Sequence, residues 1–489
     1  MGYLETSNGK WEIVIGLEVH AQVISNSKLF SSASTQFGAS PNENVSFVDA
    51  ALPGILPVIN SFCVDQAIKT GLGLNGTINL VSFFDRKNYF YADLPQGYQI
   101  SQFKYPIISG GYIEIEKENG DAKKINIERI HIEQDAGKCI HDQNPTKSYI
   151  DLNRAGIALM EIVTKPDMRN ADEASKFLRK LRSILRYLKT CDGNMDEASM
   201  RADLNISMHR PETELGTRAE IKNVNSIKFL MTAIDFEVRR QIEILESGGK
   251  IEQETRLFDS TTGETRPMRS KEDAHDYRYF PDPDLPPLVL EQSRVDAIRQ
   301  TLPELPDAKT ERLQRNYGLS HYDACLISSE IELADFYEKS LESSKCNDKD
   351  IAKTLSNWII GELFAFLNKH NKNITQSNIS PENLGELVVL IKTNVISGKI
   401  AKDIFEIMWE TQKKPSDIIE EKGWKQITNS DEIKTVIIQL LDENPEKVAE
   451  YKNGKEKLFG FFVGQIMKKT AGKANPQLLN EILHKILDN

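Results

Sequence analysis

The stretch Ile127–Gly137 reads Ile-Glu-Arg-Ile-His-Ile-Glu-Gln-Asp-Ala-Gly, and its polar and apolar residues alternate. Side chains two apart on an extended strand share a face. Arg129, His131, Glu133 and Asp135 therefore lie on one side, while Ile130 and Ile132 turn into a core. An imidazole and two carboxylates cost too much to bury unpaired, so that face must meet water, a cation or a substrate. Ile15–His20 repeats the device with Glu18 and His20. So do Asp151 with Asn153, the alternate positions Arg201, Asp203, Asn205 and Ser207, and Glu220 with Lys222. A single carboxylate, Glu161, stands in the apolar run Ala158–Val163.

Any one such strand is explained by the wet face of an antiparallel sheet. Five that carry His, Asp, Asn and Arg in place of Thr, Lys and Ser argue for a shared site. Glu161 is the most telling, because a lone carboxylate between Met160 and Ile162 needs a cation or strong donors. Carboxylate oxygens with few thiols suit a hard ion such as Mg²⁺ better than Zn²⁺. The expectation is a metal or phosphate site pooled from several strands.

Other chemistries lack their signatures. Neither a Gly-x-x-x-x-Gly-Lys-Ser/Thr loop nor a Gly-x-Gly-x-x-Gly turn is expected, and so neither a P-loop nor a Rossmann nucleotide site. No Gly-x-Ser-x-Gly elbow occurs, and Cys139 with His141 lacks a third, orienting group. Phe84–Tyr91 and Asp276–Phe280 interleave aromatic and basic residues. Such stretches stack a base or clamp an unpaired RNA end, or else anchor loops to a core.

The elements that must position these residues follow from hydrophobic period. Short alternating or apolar runs over Trp11–Val23, Ala50–Ile59, Tyr112–Glu116, Lys124–Glu133, Leu204–His209 and Arg218–Asn223 read as strands. Asn170–Lys189 and Ser226–Ser247 carry helical spacing, with Phe177, Leu181, Ile184 and Leu188 on one stripe. The fold class is α+β: a cradle built on a mainly antiparallel sheet, with helices. The Pro-rich stretch Phe280–Pro287 ends it. Beyond, Ile351, Leu355, Ile359, Leu363 and Leu367 keep helical spacing, and Pro381 fits the first turn of a helix capped by Ser380. The expected organisation is a catalytic cradle over 1–293, an all-α domain over 294–405 and a small helical tail over 406–489.

A chain of 489 residues with 39% hydrophobic and 27% charged residues has ordinary globular composition, and no apolar run is long enough to span a bilayer. A net charge of −11 argues against a general nucleic-acid coat, so RNA contact needs a local basic patch. Tyr451–Asn489 changes sign, with seven Lys against three acids. Lys468, Lys469 and Lys473 there suit a phosphate backbone, or else complement helix ends; spacing leaves both open. Five scattered cysteines read as reduced thiols, which places the protein in the cytoplasm. The first residues lack the apolar segment of an export signal, and Gly2 with Thr6 fits only the loose myristoylation pattern.

Longer motifs carry a resemblance. They are Ile15–His20, Phe84–Ser101, His131–Lys138, Asn194–Arg201, Glu254–Arg256, Arg269–Pro281, and in the tail Phe462–Met467 with Gly472–Gln477. Together they resemble, nearly end to end, the GatB family of aspartyl/glutamyl-tRNA amidotransferase B subunits, whose tail is YqeY-like. The resemblance implies a ligase of three subunits, in which a separate A subunit hydrolyses glutamine and a small C subunit holds A to B. Ammonia reaches the B subunit, where the side-chain carboxylate of Glu or Asp on a misacylated tRNA is phosphorylated by ATP and then amidated. The family's metal pattern falls on Glu18, His20, Glu133, Glu161 and Asp203, with Mg²⁺ as the ion. Glu18, His20, Glu133, Arg201 and Lys222 are the expected catalytic residues, and Arg201, Asn205 and Asn153 the expected nucleotide or substrate contacts.

One departure stands out. Many relatives hold zinc with four cysteines near the start, and the aligned positions here are Ser31, Ala33, Ser46 and Asp49, so no zinc is expected. Ala92 also replaces the family's usual proline. Two rival readings are a non-catalytic tRNA-binding scaffold and a metal-dependent phosphoesterase using the same carboxylates.

Overall fold

The computed structural model describes residues 3–270, 277–345, 348–424, 430–470, 474 and 476–487. The chain divides into two compact units, Met1–Pro306 and Asp307–Asn489.

The first unit is organised by β1 (Gly9–Gln22), β2 (Asp85–Asn88), β3 (Tyr98–Ser101), β4 (Ala122–Gln134), β5 (Ala158–Thr164), α1 (Ala171–Leu188), β6 (Met200–His209), β7 (Ala219–Val224), α2 (Ile227–Glu246), β8 (Glu254–Asp259) and β9 (Glu264–Ser270). One large sheet runs in the order β9-β8-β7-β6-β1-β5-β4 and continues into Ile108–Ser109 and Thr77–Ile78. Among these pairs only β7 with β8 is parallel, as the α+β reading expects. Alternation decides which side is which. Ile13, Ile15, Leu17, Val19 and Ala21 of β1 are buried with Ile130 and Ile132, Met160 and Ile162, and Leu204 and Ile206 in one core.

Helices α1 and α2 contribute their apolar stripes to that core. Each begins at a side-chain cap: Asn170 accepts from the Glu173 N–H, and Ser226 accepts from the Phe229 N–H. A smaller sheet has β2 at its centre, between β3 and Phe280–Pro281.

Two expectations need correction. Ala50–Ile59 forms no strand; Pro53 and Pro57 have no N–H to donate to a ladder. The chain also contains one Gly-x-Gly-x-x-Gly spacing, Gly71–Gly76, at the end of the helix Ser61–Gly73 rather than at the start of one. Its glycines serve packing: a Cβ on Gly71 would stand 2.6 Å from Ile108, and one on Gly73 2.6 Å from Leu188.

In the second unit the described elements are helical. One core runs from Leu313 to Ile419 and another from Ile433 to Leu487. Pro381 opens its helix behind Ser380, whose side chain accepts from the Asn383 N–H. Helix Gly398–Thr411 runs across residue 405. Among the described residues no helix is long and apolar enough to cross a membrane.

Candidate functional site

The polar faces meet because the register aligns them. Across β6, β1, β5 and β4, Arg201, His20, Glu161 and His131 stand opposite one another in one row. The adjoining row sets Asp203 opposite Glu18. Opposite positions on paired strands point to the same side, so these residues share the face that their apolar neighbours avoid.

Contacts follow the register. His20 Nε2 lies 3.4 Å from Glu161 Oε2, 3.7 Å from Glu18 Oε1 and 3.8 Å from Glu133 Oε1. His131 Nε2 lies 3.3 Å from both Glu133 Oε2 and Glu161 Oε2. Ser101 Oγ on β3 donates to Glu133 Oε2 at 2.9 Å, tying the smaller sheet to the pool. Ligand atoms of Glu18, His20 and Asp203 lie within 4.8 Å of one another, as do those of His20, Glu133 and Glu161.

Cations stand at the edge of the pool. Arg201 Nη2 donates to both oxygens of Asp135 at 3.1 Å, and Lys222 Nζ donates to Asp203 Oδ2 at 2.8 Å, with Glu220 Oε1 3.0 Å away. A β-bulge between Ala202 and Leu204 aims the second pair. Asn223 sits in it with φ 68°, a left-handed conformation that Asn tolerates. Asn205 lies two residues beyond Asp203, opposite Gly16.

Charge balance shows what the pool is suited to hold. Burial works hardest against His20 as a cation, yet its hydrogen bond to Glu161 and the charges of Glu161, Glu133 and Glu18 lift it to about 9. His131 is lifted to about 9 on the same balance, with Glu161 the leading attraction. Glu161 is held well below the usual carboxylate range despite its burial, chiefly by His131. Glu18 moves the other way, raised first by burial and then by Glu161. Two imidazolium protons thus neutralise carboxylates that a divalent cation would neutralise in their place. The donor set of carboxylate oxygens and imidazole nitrogens fits such an ion.

The five residues of the sequence-based metal set, Glu18, His20, Glu133, Glu161 and Asp203, are brought to one face, with Arg201 and Lys222 at its edge. Asn153 is not shown there. Its Oδ1 accepts from the Asn44 N–H at 2.8 Å and its Nδ2 donates to Ser40 O at 2.8 Å, so its side chain braces the 40–44 loop. His131 belongs to the pool although the family pattern did not carry it, and its place in the Ile127–Gly137 alternation was the signal. Lys87 of β2 was also missed; its ammonium lies in the field of Glu133 and Glu161.

The aligned zinc positions hold something else. Lys28, fully buried, places Nζ 3.0 Å from Asp49 Oδ2, and the same carboxylate accepts from Ser31 Oγ at 3.3 Å and from the Ser46 N–H at 2.8 Å. In the tail, Lys468 and Lys469 are exposed near the end of the helix Leu458–Lys469, and Lys469 pairs with Glu443 at 2.6 Å. Lys473 lies outside the described residues.

Comparison with known proteins identifies the family of the chain. Residues 13–296 match the family described as the GatB/GatE catalytic domain, and residues 335–487 match the GatB domain. A protein of Granulibacter bethesdensis, named as the B subunit of aspartyl/glutamyl-tRNA(Asn/Gln) amidotransferase, is 58% identical over 99% of each chain. Proteins of the same name from Rickettsia felis and Gluconobacter oxydans are 56% and 57% identical over 100% and 98% of each chain. The chain belongs to the GatB family of amidotransferase B subunits.

Proposed function

We propose that this chain is the transamidating subunit of a carbon–nitrogen ligase that converts Glu-tRNA(Gln), Asp-tRNA(Asn) or both into Gln-tRNA(Gln) and Asn-tRNA(Asn). A carboxylate is a poor electrophile, so it must first be activated. A carboxylate oxygen of the substrate bonds to the γ-phosphorus of ATP while the bond from that phosphorus to the ADP oxygen breaks. Ammonia then attacks the acyl carbon, the amide bond forms, inorganic phosphate leaves and a proton is given up to the surroundings.

The chain's own residues bind, orient and balance charge in this reaction. Glu18, His20, Glu133, Glu161 and Asp203 would hold Mg²⁺. When bound, the ion supplies charge neutralisation for phosphoryl transfer. His131 keeps Glu133 and Glu161 oriented, and Ser101 donates to the same Oε2 of Glu133 that His131 meets. Arg201 and Lys222, braced by Asp135 and Asp203, stand at the edge where phosphate oxygens would meet positive charge. Asn205 adds an amide to that edge, and Asn153 acts indirectly through the loop it braces. The observation that carries the reading is the convergence of His20, Glu133 and Glu161 from three strands.

Ammonia comes from a glutaminase A subunit, held to this chain by a small C subunit in a cytoplasmic heterotrimer. The cradle in the first unit does the chemistry, while the helical core Leu313–Ile419 and the tail core Ile433–Leu487 grip the tRNA body, with Lys468, Lys469 and Lys473 on its phosphates. No zinc is part of the protein. The test is amidation by the assembled complex. His20→Ala or Glu133→Ala should abolish ATP- and glutamine-dependent amidation while tRNA affinity stays near that of the parent. A tRNA-binding scaffold would have no activity to lose, and a phosphoesterase would release phosphate without forming the amide.

A further inference from the structure

Lys87 is a cation beside the pool that lies outside the family's metal set, within the aromatic and basic stretch Phe84–Tyr91. On β2 it stands opposite Gln99 of β3, and Asp85 stands opposite Ser101. Lys87, Gln99 and Ser101 therefore share one face of the smaller sheet. That face looks onto the end of β4: Ser101 Oγ donates to Glu133 Oε2 at 2.9 Å, and Gln99 Nε2 donates to Gln134 O at 2.7 Å.

The surroundings of Lys87 differ from those of the other two cations. Arg201 is committed to Asp135, and Lys222 to Asp203 and Glu220. Among the described residues no carboxylate comes within ion-pair distance of the Lys87 ammonium. It stands 5.1 Å from the ring centre of Tyr277. Tyr277 makes edge contacts with Tyr89 at 6.2 Å and Tyr279 at 6.0 Å, and Tyr279 stacks on Phe103 at 4.4 Å. An ammonium beside aromatic rings has lost part of its water and is stabilised by any anion that enters.

We infer that Lys87 receives the side-chain carboxylate of the aminoacyl group, donates hydrogen bonds to its oxygens, and holds it while it is phosphorylated. An incoming carboxylate is repelled by Glu18, Glu133 and Glu161. Arg201 and Lys222 would each have to release a partner to attract it, and Lys87 would not. The amide product carries no charge and loses this attraction, which favours its release over the substrate's. Lys87 moves no proton in the step. Burial works against its charge, but Glu133 and Glu161 outweigh that and keep the ammonium protonated.

This inference rests on the phosphoryl-transfer reading above, and one experiment separates the two. Transfer of label from γ-labelled ATP to Glu-tRNA(Gln) is measured in a single turnover, with the complete complex carrying wild-type, Lys87→Met or Lys87→Arg chain. Wild-type chain that never labels the tRNA would remove the parent reading. With wild-type transfer intact, Lys87→Met should lose about 100-fold in the rate of labelling, while Lys87→Arg retains part of it. The KM for ATP should stay within about threefold, since the proposal gives its phosphates to Arg201 and Lys222 rather than to Lys87, and added ammonium salt should not rescue amidation. A Lys87→Met complex that labels the tRNA normally, or recovers amidation with ammonium salt alone, would overturn the assignment. Should Lys87→Met fail to fold, Lys87→Cys alkylated with bromoethylamine restores an ammonium at the same place, with wild-type complex treated identically as control. Recovered labelling supports the role, and labelling that is normal before alkylation contradicts it.

Discussion

Glu161 on β5 stands directly between His20 on β1 and His131 on β4, with Oε2 3.4 Å from the first imidazole and 3.3 Å from the second. One carboxylate thus serves two imidazolium groups, and its own burial is offset by theirs. Replacing Glu161 by Gln keeps the shape and removes the charge. Mg²⁺ affinity should fall by at least about tenfold, and amidation by about 1,000-fold. Metal-free stability should drop by ~3 kcal/mol, because two buried cations lose a shared partner. Calorimetric metal titration and denaturant unfolding measure these effects; unchanged metal affinity would count against a shared ion.

The raised histidines give a pH dependence with a definite sign. His20 and His131 titrate near 6.5 when unfolded and at about 9 when folded. A raised folded value stabilises the protein fully below the unfolded value and is lost as pH rises through the folded one. The metal-free protein should therefore lose stability between about 6.5 and about 9. A metal bound to His20 must displace its proton, so affinity should weaken by up to about tenfold for each unit that pH falls below that folded value. Melting curves with and without Mg²⁺ across this window check both signs. A metal-free melting temperature that rises through the window would contradict the balance described.

The buried pair Lys28–Asp49 offers a prediction away from the pool. Lys28 also donates to Asn44 O at 2.7 Å and Leu152 O at 3.3 Å, so it pins the early loop to the segment before β5. Lys28→Met should cost ~3 kcal/mol, and adding Asp49→Leu should recover part of it. Limited proteolysis should cut the 39–56 segment faster in the single variant. Stoichiometric zinc in the purified protein would contradict the reading of Ser31, Ala33, Ser46 and Asp49.

The basic tail predicts a change in RNA binding rather than in chemistry. Removing residues 451–489 should weaken tRNA affinity and reduce the steepness of its fall with salt. Lys468→Glu should do the same more mildly, because that side chain is exposed, whereas Lys469 already has Glu443 as a partner. Filter binding at several salt concentrations measures both. An unchanged slope after truncation would remove the tail from the RNA interface.

What was legible in the sequence was what strand period alone determines. Glu18 and His20, or Arg201 and Asp203, must share a face once their strands exist, and the apolar residues between them must make the core. Register was less legible: that Glu161 would meet both histidines depends on how three distant strands align. Asn153 reads like a site residue by type and spacing, but its partners Ser40 and Asn44 come from a loop far away in sequence. Lys87 was hidden for the opposite reason. Its strand is four residues long, and its aim is set by pairing with β3. The Asn223 bulge that turns Lys222 toward Asp203 left no pattern to read at all.

The central claim is tested most directly by locating Mn²⁺, as a visible substitute for Mg²⁺, through its anomalous scattering in crystals of the complex. The account predicts one strong peak among Glu18, His20, Glu133, Glu161 and Asp203, at about 2.1 Å from at least three of their oxygen or nitrogen atoms. A protein with full amidation activity and its manganese bound elsewhere would contradict it.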